Sequence, residues 1–458
     1  MLPEKFVEKM KKLLGDDYPK FEAALENESA IRGLRINTLK CTRESFTYEN
    51  TLPLSPLSYT DTGFILTSDS QVGRLAEHHS GRIYMQDPGA MAPLSAVDIP
   101  VGARVVDLCA APGGKSGQAA AMIGETGFLL ANEFVSKRAK ILVSNFERLG
   151  IRNAVVTSMD TGALAQLFCE YFDYAIVDAP CSGEGMFRKN DAAVDEWSEE
   201  NVLLSAKRQK EILASAARLV REGGYIIYST CTYSPEENEM IIDDFLSAHP
   251  AFSPVPAPQK IIAVTAEPIK ENTNPKNTQH CRRFYPHISN GEGQFLAIIR
   301  KNSSDMTTKV CKDGSKPLSK QDMAIVTDFF KSTLKSLPSA RVVRVGENIV
   351  LLPESIEAVP PHSVFMAGVL VGEIQKGRLI PAHQFFSAYG SLFKLQIELS
   401  PFPDKLDAYL SGEEITAPEK TENGYCAVTY KGSVLGGGKI SDTRIKNHYP
   451  KGLRNRKI

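Results

Sequence analysis

Two cysteines in this chain of 458 residues stand where a nucleophile could work. Cys181 lies in Val177-Asp178-Ala179-Pro180-Cys181-Ser182-Gly183-Glu184-Gly185, and Cys231 lies in Tyr228-Ser229-Thr230-Cys231-Thr232-Tyr233-Ser234. Each follows a short β-forming run, 174–177 and 225–228, so each thiol is expected just past a strand end. A thiol reacts as its thiolate, which can add to an electron-poor carbon and form a covalent intermediate. A single cysteine in such a place is more often a small buried hydrophobe. Two at one sheet edge, both among small and polar residues, point instead to paired thiol chemistry.

A third segment, Val105-Val106-Asp107-Leu108-Cys109-Ala110-Ala111-Pro112-Gly113-Gly114-Lys115-Ser116, reads as a strand ending in an acid, a turn of small residues and a helix start. Small residues there let the backbone approach a ligand at the carboxyl ends of the strands. It is not a dinucleotide fingerprint, because Gly-x-Gly-x-x-Gly is absent. Nor is it a P-loop, because the glycine expected five residues before Gly114 is Cys109. Three acids recur at successive strand ends. Glu133 follows the next strand by the distance at which an acid meets a ribose in such sheets, and Asp160 and Asp178 follow later ones. An isolated acid is usually a surface residue; the repetition makes these candidates for a ligand edge.

The elements that must position these groups alternate. β-rich runs at 104–108, 127–132, 154–157, 174–177 and 225–228 are separated by helical stretches near 115–124, 136–149, 201–221 and 235–248, the pattern of a parallel sheet with crossover helices. The last helix is expected to start at Ser234-Pro235-Glu236-Glu237, with Ser234 as cap and Glu237 completing a capping box. The run 294–299 adds an expected edge strand. Residues 4–28 suit one or two amphipathic helices, and 36–39 and 63–66 suit strands. Polar residues 301–322 read as a linker. The expected division is an N-terminal α/β unit at 1–80, a catalytic unit at 81–302, a linker at 303–322, an intermediate unit at 323–390 and a terminal unit at 391–458. Runs at 342–345, 364–371 and 392–397 supply strands beyond the linker.

Composition narrows the function classes. The hydrophobic fraction is 42%, the charged fraction 23% and the net charge −1, and no apolar run is long enough to span a bilayer. The charged start MLPEKFVEKMKKLLGDD lacks a signal-peptide core, so a cytoplasmic protein is expected. The eight cysteines include no Cys-x-x-Cys pair, which gives no zinc or thioredoxin signature, and no metal is expected. Between Lys431 and Lys457 there are eight Lys/Arg residues against one acid, Asp442. Such a basic end suits a polyanion or a solvated tail.

Together the three motifs resemble the NOL1/NOP2/Sun family of RNA 5-methylcytosine methyltransferases, and within it the bacterial RsmF/YebU group. Matching segments run from Arg35-Ile36-Asn37-Thr38 to Gly291-Glu292-Gly293, and the end of the chain, from Leu435-Gly436-Gly437-Gly438-Lys439 to Arg454, resembles a PUA-like RNA-binding module. The resemblance implies a Rossmann-like S-adenosylmethionine-dependent methyltransferase sheet with a small N-terminal α/β domain and a C-terminal PUA-like region. It implies that Cys109, Ala110, Ala111, Pro112, Gly113, Gly114, Lys115, Glu133, Asp160 and Asp178 bind the methyl donor or frame its pocket. Arg138 is a further donor-site candidate. Lys115 and Asp178 would also hold the target cytosine. Cys231 would attack carbon 6 and Cys181 would assist release, with Lys115 and the start of the Pro235 helix as sources of positive potential.

The implied partner is small-subunit ribosomal RNA. Arg188, Lys189, Arg282, Arg283 and the basic C-terminus are then expected to meet phosphates, while Trp197 is expected in the core. Three other readings compete: a DNA cytosine methyltransferase attacking through Cys181, a tRNA methyltransferase, and a non-catalytic ribosome-assembly factor. Ser229-Thr230-Cys231-Thr232 and the PUA-like end favour RNA, and the completeness of the motifs favours an enzyme.

Overall fold

The computed structural model describes residues 2–26, 30–68, 70–289, 291–418 and 421–455. Its centre is a sheet in which five neighbouring strands run parallel in the order Ala154–Thr157, Phe128–Asn132, Arg104–Asp107, Phe172–Asp178, Val220–Thr230. Alternation along each strand sends side chains into two cores. Val106, Leu130, Val155, Ala175 and Ile226 face the helices Glu199–Leu219 and Glu239–Ala248. Val105, Leu129, Ala154, Ile176 and Ile227 face the helices Pro88–Ser95, Gly114–Ile123 and Ser136–Leu149. Both faces are covered, which is why these strands read as continuous apolar runs.

Both ends of the sheet differ from expectation. Gln294–Lys301 is not an edge strand. It pairs antiparallel with Val220–Thr230 on one side and with Phe252–Val255 on the other, and Arg282–Phe284 also pairs with it. At the opposite end the sheet is extended from beyond the expected linker, because Val364–Ala367 pairs antiparallel with Ala154–Thr157. The single run expected at 364–371 is therefore two strands, and its second part, Val369–Gln375, pairs with Asn348–Leu352. Gly368 makes the break: its φ is +56°, and a Cβ there would sit 2.1 Å from the Leu351 carbonyl oxygen, so only glycine fits.

Outside this sheet, Arg32–Ile36, Leu54–Pro56, Gly63–Leu66 and Ile83–Met85 form an antiparallel sheet of their own. The helices Glu4–Leu14 and Tyr18–Glu26 pack elsewhere. They join Phe187, Tyr233 and Tyr285 in a core beside the Cys231 loop. Trp197 belongs to that core, its ring 6.0 Å from Phe6 and its indole N–H donating to Glu184. The C-terminal strands 395–398, 415–416, 424–430, 433–441 and 444–447 form a five-stranded sheet, which docks on the N-terminal unit through a His79–Tyr449 hydrogen bond of 2.6 Å and through Arg82, which donates to the Lys431 carbonyl.

Three arginines expected at RNA phosphates lie inside the protein instead. Arg283 is 2% exposed and forms a two-pronged pair with the fully buried Glu239. Arg282 is bound by Glu267 and Thr265. Arg188 pairs with Glu292 at 2.8 Å, with both side chains at 3% exposure or less. Lys189 lies at the surface, its side chain 23% exposed, and pairs with Asp87 at 2.7 Å. Their acids lie far away in sequence, so four cations that look free in the linear chain are neutralised in the fold. Arg283→Ala should therefore destabilise the protein by about 3–5 kcal/mol in urea unfolding, since it strands Glu239 in the interior. Unchanged stability with weakened RNA affinity would return Arg283 to the RNA surface.

Candidate active site

Parallel pairing brings the carboxyl ends of the five central strands to one edge, and the sequence motifs arrive there together. Asp107 ends its strand beside Ile176 and Ala131, and Asp178 ends its strand beside Ser229. Cys181 and Cys231 follow adjacent strands, and their sulfur atoms are 3.2 Å apart. Both are free, half-buried thiols. The Cys181 thiol is pushed well above the ordinary range, first by its hydrogen bond with Cys231 and then by burial. It keeps its proton at neutral pH and can donate an S–H hydrogen bond to the Cys231 sulfur.

Lys115 and Asp178 meet across this edge at 2.8 Å, the lysine almost wholly buried and the carboxylate partly open. Ser229 also donates to Asp178. The Lys115 charge is thus balanced by Asp178 rather than left free to stabilise a thiolate. The second expected source of positive potential takes a different form as well. Pro235–Glu237 is a 3-10 turn, and the helix begins only at Glu239. Ser234 is not its cap, because its hydroxyl donates to Glu184 at 2.6 Å. Glu237 completes no capping box and instead accepts hydrogen bonds from the Cys181 loop and Gln209. The Ser234 hydroxyl is engaged by buried Glu184 and the Glu237 carboxylate by Ser182 and Gln209, so neither side chain caps a regular helix.

The turn after Asp107 forms the second half of the site. Asp107 is buried. It accepts from the Ser116 hydroxyl at 2.5 Å and from the Cys109 backbone N–H at 3.3 Å, and burial pushes its carboxyl up to about 7. Gly113 has φ +113°, and a Cβ there would press on Leu142 at 3.0 Å, so the turn closes against the helix Ser136–Leu149. The Ala111–Pro112 bond is cis. Glu133 is 3% exposed; its Oε1 accepts from the Val135 N–H, while its Oε2 is buried without a hydrogen-bond partner. Arg138 bridges the two segments, donating to the Ala111 carbonyl at 2.9 Å and lying 3.3 Å from Glu133 Oε2. Asp160 is exposed and caps the helix Thr161–Leu167 by accepting from the Ala163 N–H.

These residues fit a nucleoside-bearing methyl donor. Glu133 Oε2, ion-paired with Arg138 but accepting no hydrogen bond, is an acceptor suited to ribose hydroxyls, and the turn 109–114 offers close backbone approach. Among the described residues no His/Cys/Asp/Glu cluster could hold a metal ion. Sequence reading missed Gln209, Asn238 and Asn132, gave Glu237 only a capping role, and quoted Glu184 without a role. The Asn132 side chain binds the Met159 backbone and Thr157, fixing the next strand end. Arg35, from the quoted Arg35-Ile36-Asn37-Thr38 segment, donates to Gln86 and to the Gly114 carbonyl, so it steadies the donor turn from the N-terminal unit. Only its place in a recognisable segment signalled it.

Comparison with known proteins accounts for nearly the whole chain. Residues 96–300 match the model of 16S rRNA methyltransferase RsmB/F, 2–88 the N-terminal domain of 16S rRNA methyltransferase RsmF, 328–388 the first C-terminal domain of RsmF rRNA methyltransferase, and 398–455 the methyltransferase RsmF PUA domain. Ribosomal RNA small subunit methyltransferase F of Vibrio vulnificus is 32% identical over 99% of this chain and 97% of that protein. The protein of the same name from Aliivibrio fischeri is 32% identical over 92% of this chain and 91% of its own. A methyltransferase homologue from Pyrococcus horikoshii superposes with a TM-score of 0.58 at 26% identity, covering 65% of this chain and 95% of its own. NSun6 from Pyrococcus horikoshii shares the fold, with a TM-score of 0.55 at 19% identity over 66% of this chain and 99% of its own. A parallel sheet with paired thiols and a donor turn at one edge, followed by a PUA domain, thus meets full-length similarity, and the chain belongs to the RsmF-like NOL1/NOP2/Sun family of S-adenosylmethionine-dependent rRNA methyltransferases.

Proposed function

We propose that this protein methylates carbon 5 of cytosine in 16S-type small-subunit ribosomal RNA in the cytoplasm, with Cys231 as the attacking thiolate and Cys181 as the thiol that assists release. The observation that carries the reading is the 3.2 Å approach of the two sulfurs on the edge that holds Lys115 and Asp178. Carbon 5 of cytosine is a weak nucleophile until a thiolate adds at carbon 6. Addition of the Cys231 sulfur moves ring electrons toward carbon 5. S-adenosylmethionine, when bound, supplies an electrophilic methyl group. A base then takes the carbon 5 proton, the carbon 6–sulfur bond breaks, and the ring double bond and the Cys231 thiolate are restored.

In this reading Asp178 accepts from the exocyclic amine of cytosine or shares a proton with ring nitrogen 3, and Lys115 holds that carboxylate in place. Cys109, Ala110, Ala111, Pro112, Gly113, Gly114, Glu133, Arg138 and Asp160 frame the donor. The target base must leave its stack, at a cost of a few kcal/mol that is smallest in a loop or distorted helix. With Arg188, Arg282 and Arg283 buried, RNA is held elsewhere. The PUA domain offers a suitable face: Tyr425, Lys439 and Lys446 lie opposite one another in three successive strands. The Lys439 amine sits 5.3 Å from the Tyr425 ring centre, and the two lysines form no ion pair among the described residues. Like charges placed directly opposite repel, and a phosphate backbone relieves that repulsion. Exposed Arg444, on the same strand as Lys446, pairs with Glu414 at 3.8 Å, Lys431 is tied to Glu77, and Arg456 and Lys457 lie outside the described residues.

With small-subunit rRNA transcript and S-adenosylmethionine, Cys181→Ala should accumulate a covalent protein–RNA adduct on denaturing gels, while Cys231→Ala should form none. Adduct formation by Cys231→Ala but not by Cys181→Ala reverses the assignment. The double variant Lys439→Ala/Lys446→Ala should weaken RNA binding and flatten its logarithmic salt dependence by about 0.7–0.9 per charge removed, with donor affinity unchanged. An unaltered salt slope excludes this face.

A further inference from the structure

Glu237 and Asn238 occupy the junction between the 3-10 turn Pro235–Glu237 and the helix Glu239–Ala248, where Asn238 has φ −115° and ψ −100°, neither helical nor extended. Both side chains are fully buried. Glu237 Oε2 accepts from the Ser182 backbone N–H at 2.9 Å and from Gln209 Nε2 at 2.8 Å, and Oε1 accepts from the Ser182 hydroxyl. The same Gln209 nitrogen donates to the Pro180 carbonyl at 3.1 Å. The residues immediately before and after Cys181 are thus tied to one carboxylate, one directly and one through Gln209.

Asn238 does the same for the other thiol. Its Oδ1 accepts from the Thr230 hydroxyl at 2.6 Å, and its Nδ2 donates to the Thr232 carbonyl at 2.9 Å, the residues on either side of Cys231. The Ser182 and Thr232 hydroxyls then meet at 2.8 Å, closing a ring of hydrogen bonds between the two loops. Consecutive Cα atoms are about 3.8 Å apart across a trans peptide, so the two clamps are spaced by one rigid unit. An interior carboxylate is costly unless its hydrogen bonds are met. Burial pushes Glu237 up to about 7 even though Ser182 and Gln209 pull it down, and both of those partners serve the Cys181 loop.

We propose that the dipeptide Glu237-Asn238 is the positioning device that sets the spacing of the two sulfurs, with Glu237 placing Cys181 for release and Asn238 placing Cys231 for attack. The inference rests on the two-thiol reading above and adds residues that touch neither substrate nor donor. It separates two steps of one reaction onto two neighbouring side chains.

The test follows adduct formation and decay in the full-length protein with small-subunit rRNA transcript and S-adenosylmethionine, alongside Cys181→Ala. Glu237→Ala should form adduct at close to the wild-type rate but release it about tenfold or more slowly, so that protein-linked RNA accumulates. Glu237→Gln, which keeps the volume and one acceptor for the Ser182 N–H, should fall between the two and carries the test if the alanine variant does not fold. Asn238→Ala should instead slow adduct formation about tenfold or more, with no accumulation. Donor affinity should be unchanged in all three. Equal slowing of formation and release in both positions, or no change in either, overturns the positioning role. If Cys181→Ala accumulates adduct and the Glu237 variants do not, the proposal falls while the two-thiol reading stands; if Cys181→Ala accumulates none, both fall.

Discussion

Two sulfur atoms 3.2 Å apart cannot both carry charge readily, because a thiolate on one raises the energy of ionising the other. The Cys181 thiol is raised by its contact with Cys231 and by burial, which favours its protonated form. In the proposed mechanism Cys231 is the sulfur that attacks and Cys181 its proton-bearing neighbour. The surrounding elements bring the two together. Adjacent parallel strands deliver the two loops to one edge, and a turn of small residues leaves room beside them.

Parallel pairing matters here more than any single contact. Register between Phe172–Asp178 and Val220–Thr230 sets Asp178 against Ser229, and the two thiols follow two or three residues later on neighbouring loops. The covering layers keep the sheet dry on both faces, so polar side chains concentrate at the strand ends. Acids that look redundant in a linear reading take different parts. Asp107 braces the donor turn internally, Glu133 keeps one oxygen free of hydrogen bonds beside Arg138, and Asp160 caps a helix at the surface. The strand Val364–Ala367 ties the first C-terminal domain, residues 328–388, into the same sheet by backbone pairing.

Much of this was legible in the sequence, for physical reasons that differ by region. The five parallel strands were readable because strands covered on both faces must be apolar throughout, and the motifs at 105–116, 177–185 and 228–234 were readable because close ligand approach demands small residues. Tertiary competition was not readable. Ser234, Pro235 and Glu237 form a convincing helix start, yet Glu184 lies fifty positions away and captures the serine, while Ser182 and Gln209 capture the glutamate. Arg188, Arg282 and Arg283 failed as RNA contacts for the same reason, since their partner acids Glu292, Glu267 and Glu239 are brought in only by folding. The split of the 364–371 run turned on one glycine whose left-handed conformation gives no local sign beyond its identity.

The central claim is that this edge performs cytosine carbon 5 methylation of small-subunit rRNA through Cys231. Bisulfite sequencing of rRNA from cells in which Cys231→Ala replaces the native protein tests it most directly. The account predicts that one or more small-subunit cytosines protected in wild-type cells become fully convertible while all other positions are unchanged. Protection retained at every small-subunit cytosine would contradict it.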